Sequence, residues 1–513
     1  MLSRRRFLAT MSAGSCAALV GPPNILRGAV GVEVGRPLPI PPLMEPSASA
    51  PGTLEAIAGR TNFLDGAGTR TAGFDQTFLG PVVRLTRGAS APMRVRNRLS
   101  GEAITCHWHG LAVPGHVDGG PHQVIAPDAS WSPELDIDQP AATMWYHSHL
   151  HGRTAEQVVS GLAGMLIVED PDAPDPGLPK TWEVDDLPLI IQDRSFQDDG
   201  AFGYAKMGHT LMHGFRGDEM LVNGVIRPTA DVPAGLTRLR LLNASNARTY
   251  VLHFEDERSF HQVASGGGLL PAPVPLSRLE LPPASRAEIV VDFGKGGEVA
   301  LRSEEDPYEM GMGMGMGEGG GGMGRGGMGG RGRMGQGMGR GRSNSGDGFE
   351  VMRFRPDASR TSGISSLPGR LAGAPEPNRE SPVRRRTFEL NVHGGGMGMG
   401  GMGGGMTING DAMDMEVVNH TLRRGETELW EIVSTEMPHP FHVHGGSFTV
   451  VSRNGEPVPF ESRGLDDVVL VNGTAEILVR MDPLAPPDAP FMYHCHILEH
   501  EDSGMMGQFT VEE

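Results

Sequence analysis

An all-β fold spread over more than one domain is what this sequence predicts, on three observations. The chain has 513 residues, whereas one domain runs to about 100–200 residues, so two to four domains are expected. Glycine occupies 75 positions and proline 41, the balance of many short strands joined by turns plus a low-complexity segment. Segments 81–86 (Pro-Val-Val-Arg-Leu-Thr), 237–242 (Thr-Arg-Leu-Arg-Leu-Leu) and 288–293 (Glu-Ile-Val-Val-Asp-Phe) read as strands, and long amphipathic helical patterns are hard to find.

In chain order, Ser3-Arg4-Arg5-Arg6-Phe7-Leu8 and the apolar stretch Ala9 to Val20 have the form of a twin-arginine export signal, taken as residues 1–30. The expected location is therefore the periplasm or the exterior. The apolar stretch is shorter than the ~20 residues of a membrane span, and no other segment qualifies, so a soluble chain with no stable membrane insertion, and a monomer, is expected. A proline-rich linker from Pro37 to Pro51 precedes a strand-rich stretch, 53–170. The run Pro171-Asp-Ala-Pro-Asp-Pro-Gly-Leu-Pro marks a boundary. A second strand-rich stretch covers 187–303. Met310 to Arg342, mostly Gly, Met and Arg with eight methionines, cannot build a core and reads as an insertion. A third stretch, 387–513, contains a second Gly/Met run from Gly394 to Met406. The formal charge of −18 excludes nucleic acid as the main partner and suits a small cationic or neutral substrate.

Four histidine clusters carry the chemistry: His107-Trp-His109-Gly, His147-Ser-His149, His439-Pro-Phe-His442-Val-His444-Gly, and His494-Cys495-His496-Ile-Leu-Glu-His500, which Met505 follows. They hold ten of the 19 histidines. Residues i and i+2 of a strand share a face, so each His-x-His presents two imidazoles together. In His494-Cys495-His496 the two histidines face one way and Cys495 the other, so one short strand touches two sites. A thiolate, two imidazoles and a weak thioether suit a blue-copper site. Cys495, His500 and Met505 supply three of these, and His439 can supply the fourth. The remaining eight histidines fit no single-metal site. Of the three cysteines, Cys16 falls in the export signal. Cys495 cannot both ligate copper and pair with Cys106, which reads as a small buried apolar residue.

These motifs, in this order and spacing, resemble those of the multicopper oxidases. The resemblance covers nearly all of the chain after the signal. It implies three consecutive cupredoxin-like Greek-key β-domains, with four coppers held by the first and third and none by the second. By motif position it implies a type 1 copper on His439, Cys495, His500 and Met505, and a type 2 copper on His107 and His442. Of the two type 3 coppers, one would use His109, His147 and His496, the other His149, His444 and His494. It also implies proton-supplying roles for Asp118 and Glu501.

The function so implied is reduction of O2 to water with electrons taken singly from a donor. The Met-rich runs, whose soft thioethers select Cu(I), favour Cu(I) as donor and copper tolerance as the purpose, with Met437 and the adjacent Glu436 as a substrate-copper site. Thr435 stands where such oxidases carry Asp, and the insertion is also rich in arginine. Laccase-like oxidation of phenols or aromatic amines is the alternative. A copper-sequestering protein, the reading of a different class, has no need for the His-Cys-His joint.

Overall fold

The computed structural model describes residues 35–309, 348–392, 405–459 and 464–513. The expected export signal (1–30), the Met/Gly/Arg-rich insertion (310–342) and most of the second Gly/Met run lie outside the described residues. Strands are the dominant regular structure of those described, and the longest helix, Thr154–Ser160, has 7 residues.

Three cupredoxin-like sandwiches follow one another. The first pairs a four-stranded sheet (Leu43–Met44, Val82–Thr86, Ala163–Glu169, Ala142–His147) with a five-stranded one built on Gly52–Leu64 and Ser90–Asn97. Alternate residues of Ser90–Asn97 are buried, the period-two pattern of a strand with one face on a core. The middle sandwich has sheets of seven and five strands, and the third a sheet of ten. Each has its own apolar core, centred on residues such as Val95 and Tyr146, Leu239 and Phe254, and Trp430 and Phe509 respectively.

Two strands depart from the expected organisation. Leu43–Met44, inside the proline-rich segment, pairs in parallel with Val82–Val83; an edge position tolerates flanking prolines that lack an N–H. Phe349–Asp357 pairs antiparallel with Val299–Glu304 and in parallel with Thr229–Pro233. The middle sheet thus continues past residue 303 and resumes beyond the Met-rich segment. A long low-complexity stretch hides this pairing from any local pattern.

Two adjacent strands of the third sandwich position the chemistry. Thr427–Val443 and Phe491–Cys495 run antiparallel, with Phe441 opposite Cys495 and His442 opposite His494. The longer strand shifts register against Val468–Arg480 between Ser434 and His439, an irregularity of the kind that re-aims side chains.

Candidate metal centre

Strand parity divides the histidines between two sites. On the longer strand His442 falls on one face and His439 on the other, with His444 one residue past its end; across the sheet His494 and Cys495 divide the same way. On one side, the ligating atoms of His439, Cys495 and His500 lie within 4.8 Å of one another, all buried. The Cys495 sulfur is 3.2 Å from His439 Nδ1 and 3.8 Å from His500 Nδ1, and the Ile497 N–H donates to it at 3.3 Å. Met505 is buried in the same apolar cluster, and its carbonyl accepts from the Cys495 N–H at 3.1 Å. His500 Nε2 is held 3.1 Å from the Met212 carbonyl, which leaves Nδ1 turned to the sulfur.

On the other side eight histidines from the first and third sandwiches converge in three groups, two of which share His109. These are His107, His109 and His442; His109, His147 and His496; and His149, His444 and His494. His107 and His147 are tied by reciprocal backbone hydrogen bonds of 2.8 and 3.2 Å. His107 stacks on His444 with centroids 3.8 Å apart, and His109 on His442 at 3.7 Å, so the two sandwiches meet ring to ring.

The outward nitrogens are fixed by neighbours, as ligating histidines require. His147 Nδ1 faces the Ser148 carbonyl at 2.9 Å, His442 Nδ1 the Asp467 carbonyl at 2.8 Å, and His494 Nδ1 the Cys495 carbonyl at 3.0 Å. Asp118 holds two rings, its carboxylate 2.8 Å from His444 Nδ1 and 3.2 Å from His107 Nδ1. Glu501 spans two more, 3.3 Å from His149 Nδ1 and 3.3 Å from His494 Nδ1. His109 is turned the other way, with Nε2 3.4 Å from Asp467.

The inward nitrogens test whether a cation fits. His107 Nε2, His147 Nε2 and His442 Nε2, and both nitrogens of His109 and His496, are buried without a hydrogen-bond partner. His149 Nε2 and His444 Nε2 each lie 3.2 Å from His494 Nε2. Burial holds His109, His147, His149, His442, His444 and His496 well below the usual imidazole range, with neighbouring histidines adding to it. His494 falls to about 3 and His500 to about 4 for the same first reason. Neutral imidazoles aimed at one another, several of them without a hydrogen-bond partner, are a donor set that a soft or borderline cation satisfies. Copper fits both sites by donor chemistry: thiolate with imidazoles in one, imidazole alone in the other.

Burial raises Glu501 well above the ordinary carboxylate range, and Asp502 beside it adds to the effect. Cys106 is buried and, like Cys495, free; no disulfide joins them. Glu436 and Met437 sit at the register shift. Glu436 is exposed, with its carboxylate accepting the Val392 N–H at 3.0 Å, and it joins no donor group among the described residues. Met437 is half-buried against the core that holds Cys495.

Sequence reasoning missed three residues. Trp145 stacks on His147 at 4.1 Å. Asp467 touches His109 and His442, and Arg286 of the middle sandwich grips Asp467. Only Trp145, two residues before a motif, carried a local signal.

Comparison with known proteins agrees with this architecture. Multicopper oxidase family models match residues 56–173 and 390–513, the stretches that supply the histidines. A laccase-like multi-copper oxidase CueO from Ochrobactrum sp. superposes with a TM-score of 0.79 at 38% identity, covering 93% of this chain and 100% of that one. The McoA multicopper oxidase from Aquifex aeolicus does so with 0.76 at 30% identity, covering 94% and 100%. The chain belongs to the multicopper oxidase family.

The curated relatives correct the functional expectation. Cell division protein FtsP of Escherichia coli K12 is 34% identical over 511 residues, 99% of each chain. Cell division protein FtsP of Yersinia pestis is 36% identical over 509 residues, 99% of this chain and 98% of that one. Full-length similarity to proteins of that name overturns the assignment of a cuprous oxidase for copper tolerance, and of its laccase and copper-sequestering alternatives. The physical reason is that fold and metal site do not encode biological role: one scaffold hosts many. The Met-rich runs that favoured Cu(I) lie largely outside the described residues.

Proposed function

We propose that this chain is an exported copper protein of the multicopper oxidase family that acts in cell division. The observation that carries the cellular role is the end-to-end similarity to the FtsP proteins. The twin-arginine pattern around Arg4-Arg5 supports export of the folded, metal-loaded chain to the periplasm. No helix among the described residues is long and apolar enough to cross a membrane.

The copper assignment rests on the orphaned inward nitrogens. His439, Cys495, His500 and Met505 would hold a type 1 ion, and His107 and His442 a type 2 ion. His109, His147 and His496, and His149, His444 and His494, would hold the type 3 pair, giving four ions in all. When bound, such ions would supply one-electron redox chemistry, the chemistry of a copper-dependent oxidoreductase. The protein's own part is to fix each ring: Asp118 orients His107 and His444, and Glu501, whose proton affinity burial raises, lies beside His149 and His494. The boundaries 53–170, 187–303 and 387–513 would then mark the family-matched outer domains and a middle one extended by Phe349–Asp357.

The test is genetic and chemical together. Cells lacking the chain are scored for filamentation, then complemented with wild type or Cys495→Ser, while copper is measured on the purified proteins. A division defect rescued by wild type supports the role; normal division without the chain overturns it. Rescue by a copper-free Cys495→Ser protein would separate the division role from the metal.

A further inference from the structure

The middle sandwich contributes no histidine to either site, yet it reaches the larger one. Arg286, on its strand Arg286–Asp292, and Asp467, beside the third-sandwich strand Val468–Arg480, form a bidentate pair. Each guanidinium NH2 group lies 2.6 Å from one carboxylate oxygen, and both side chains are only 1% exposed. The other three N–H groups of Arg286 are also used. They donate to the carbonyls of Ala284 at 3.0 Å, Gly266 at 2.8 Å and, from the first sandwich, Thr143 at 3.2 Å. All five donors are therefore spent, in a planar fork that lysine cannot reproduce.

Asp467 passes this order on to the metal donors. Its carboxylate is 3.4 Å from His109 Nε2 and 4.0 Å from His442 Nδ1, and its carbonyl is 2.8 Å from His442 Nδ1. His109 and His442 are the stacked pair, with ring planes 8° apart, one from each outer sandwich. An independent observation comes from the first motif. Gly110 follows His109 with a φ of +94°, and a Cβ there would lie 2.5 Å from Asp467 Oδ2 and 3.1 Å from Arg286 Nη2. The glycine of His107-Trp-His109-Gly leaves the room that this pair occupies.

We infer that Arg286 is a positioning residue for the histidine cluster: through Asp467 it holds His109 and His442 at the angle and tautomer the metal needs. The middle sandwich is thereby part of the metal centre without supplying a ligand. This rests on the reading that the eight-histidine site holds copper.

The experiment uses the full chain, copper-loaded, as wild type, Arg286→Lys, Arg286→Met and Gly110→Ala. Three quantities are read: copper per chain, the type 2 signal in electron paramagnetic resonance, and the blue absorption of the Cys495 site. Removing an outer hydrogen-bond partner costs on the order of 10–100-fold in metal affinity. All three variants should lose cluster copper and the type 2 signal while keeping the blue band. Arg286→Lys, which keeps the charge and loses the fork, should be little better than Arg286→Met. Blue band and cluster copper falling together, in step with thermal stability, would show a merely structural residue and overturn the inference. So would a fully loaded Arg286→Lys protein with an unaltered type 2 signal. A wild type that takes up no copper would overturn the metal reading itself, and this inference with it.

Discussion

The middle sandwich and the interface between the outer two bury polar groups in opposite ways. In the middle, three buried arginines meet buried carboxylates. Arg240 donates to both oxygens of Asp186 at 2.8 Å and to Glu288 at 3.2 Å, Arg238 Nε to Glu288 at 2.8 Å, and Arg248 to Asp193 at 2.9 Å. At the outer interface several inward histidine nitrogens have no hydrogen-bond partner. The same β-scaffold thus carries one buried network complete in protein alone and another that only a cation completes. Burial without a partner costs about 1–3 kcal/mol per group, so the second network is a stored cost that metal binding relieves.

The largest break in this contrast is expected at Cys495. Cys495→Ser removes the one thiolate of the centre and should abolish blue absorption entirely, which an optical spectrum of the copper-loaded protein reads directly. Arg240 substitutions should leave that band unchanged.

Acid should separate the two networks next. Burial holds the cluster histidines below the usual 6.5, so the unfolded chain takes up their protons first. Their contribution is full above about pH 6.5 and is lost as pH falls below it, at about 1.4 kcal/mol per pH unit for each histidine that titrates. Glu288 is lowered from 4.5 to about 2, opposed by burial and driven by Arg238 and Arg240. Its contribution is full above about pH 4.5 and lost towards pH 2. Denaturant titrations of the apo protein should therefore show stability falling from pH 6.5 downward. Copper loading should raise stability, by about 4 kcal/mol at a thousandfold excess over Kd, and keep the acid slope, because the unfolded chain still takes up the histidine protons. An apo protein equally stable at pH 7 and 5 would break the comparison.

Within the middle sandwich, Arg240→Met strips Asp186 and Glu288 of a buried partner. It should cost about 3–5 kcal/mol in denaturant unfolding without altering copper content. The smallest effect is expected on the surface. Arg385, half exposed, pairs with Glu476 at 2.8 Å, and Arg385→Ala should cost less than about 1 kcal/mol. A larger loss there would mean that exposed pairs matter in this fold as much as buried ones.

Much of the centre was legible in the chain. His442, His494 and Cys495 lie on strands, where parity alone sends thiol and imidazoles to opposite faces. Softness of the donors names copper. Asp118 and Glu501 stand close to motifs and were found with them. The strand Phe349–Asp357 was not legible, because its partners lie across a low-complexity segment. Nor was Arg286, one arginine among many in an ordinary strand, 181 residues from Asp467. The role named by the relatives was not legible either, since no side chain in the centre encodes it.

By itself, then, the sequence determined the β-sandwich class, the histidine and cysteine motifs, and the opposite faces that His494 and Cys495 take. Each of these depends on residue type and on a period of two, and both are local properties. Tertiary structure alone decided which ring nitrogen of each histidine faces inward, how the two outer sandwiches stack ring on ring, and that the ligand-free middle one grips the cluster through Arg286 and Asp467. Those depend on distances between strands far apart in the chain, which are set only when three cores pack together and every buried N–H and carboxylate must find its partner.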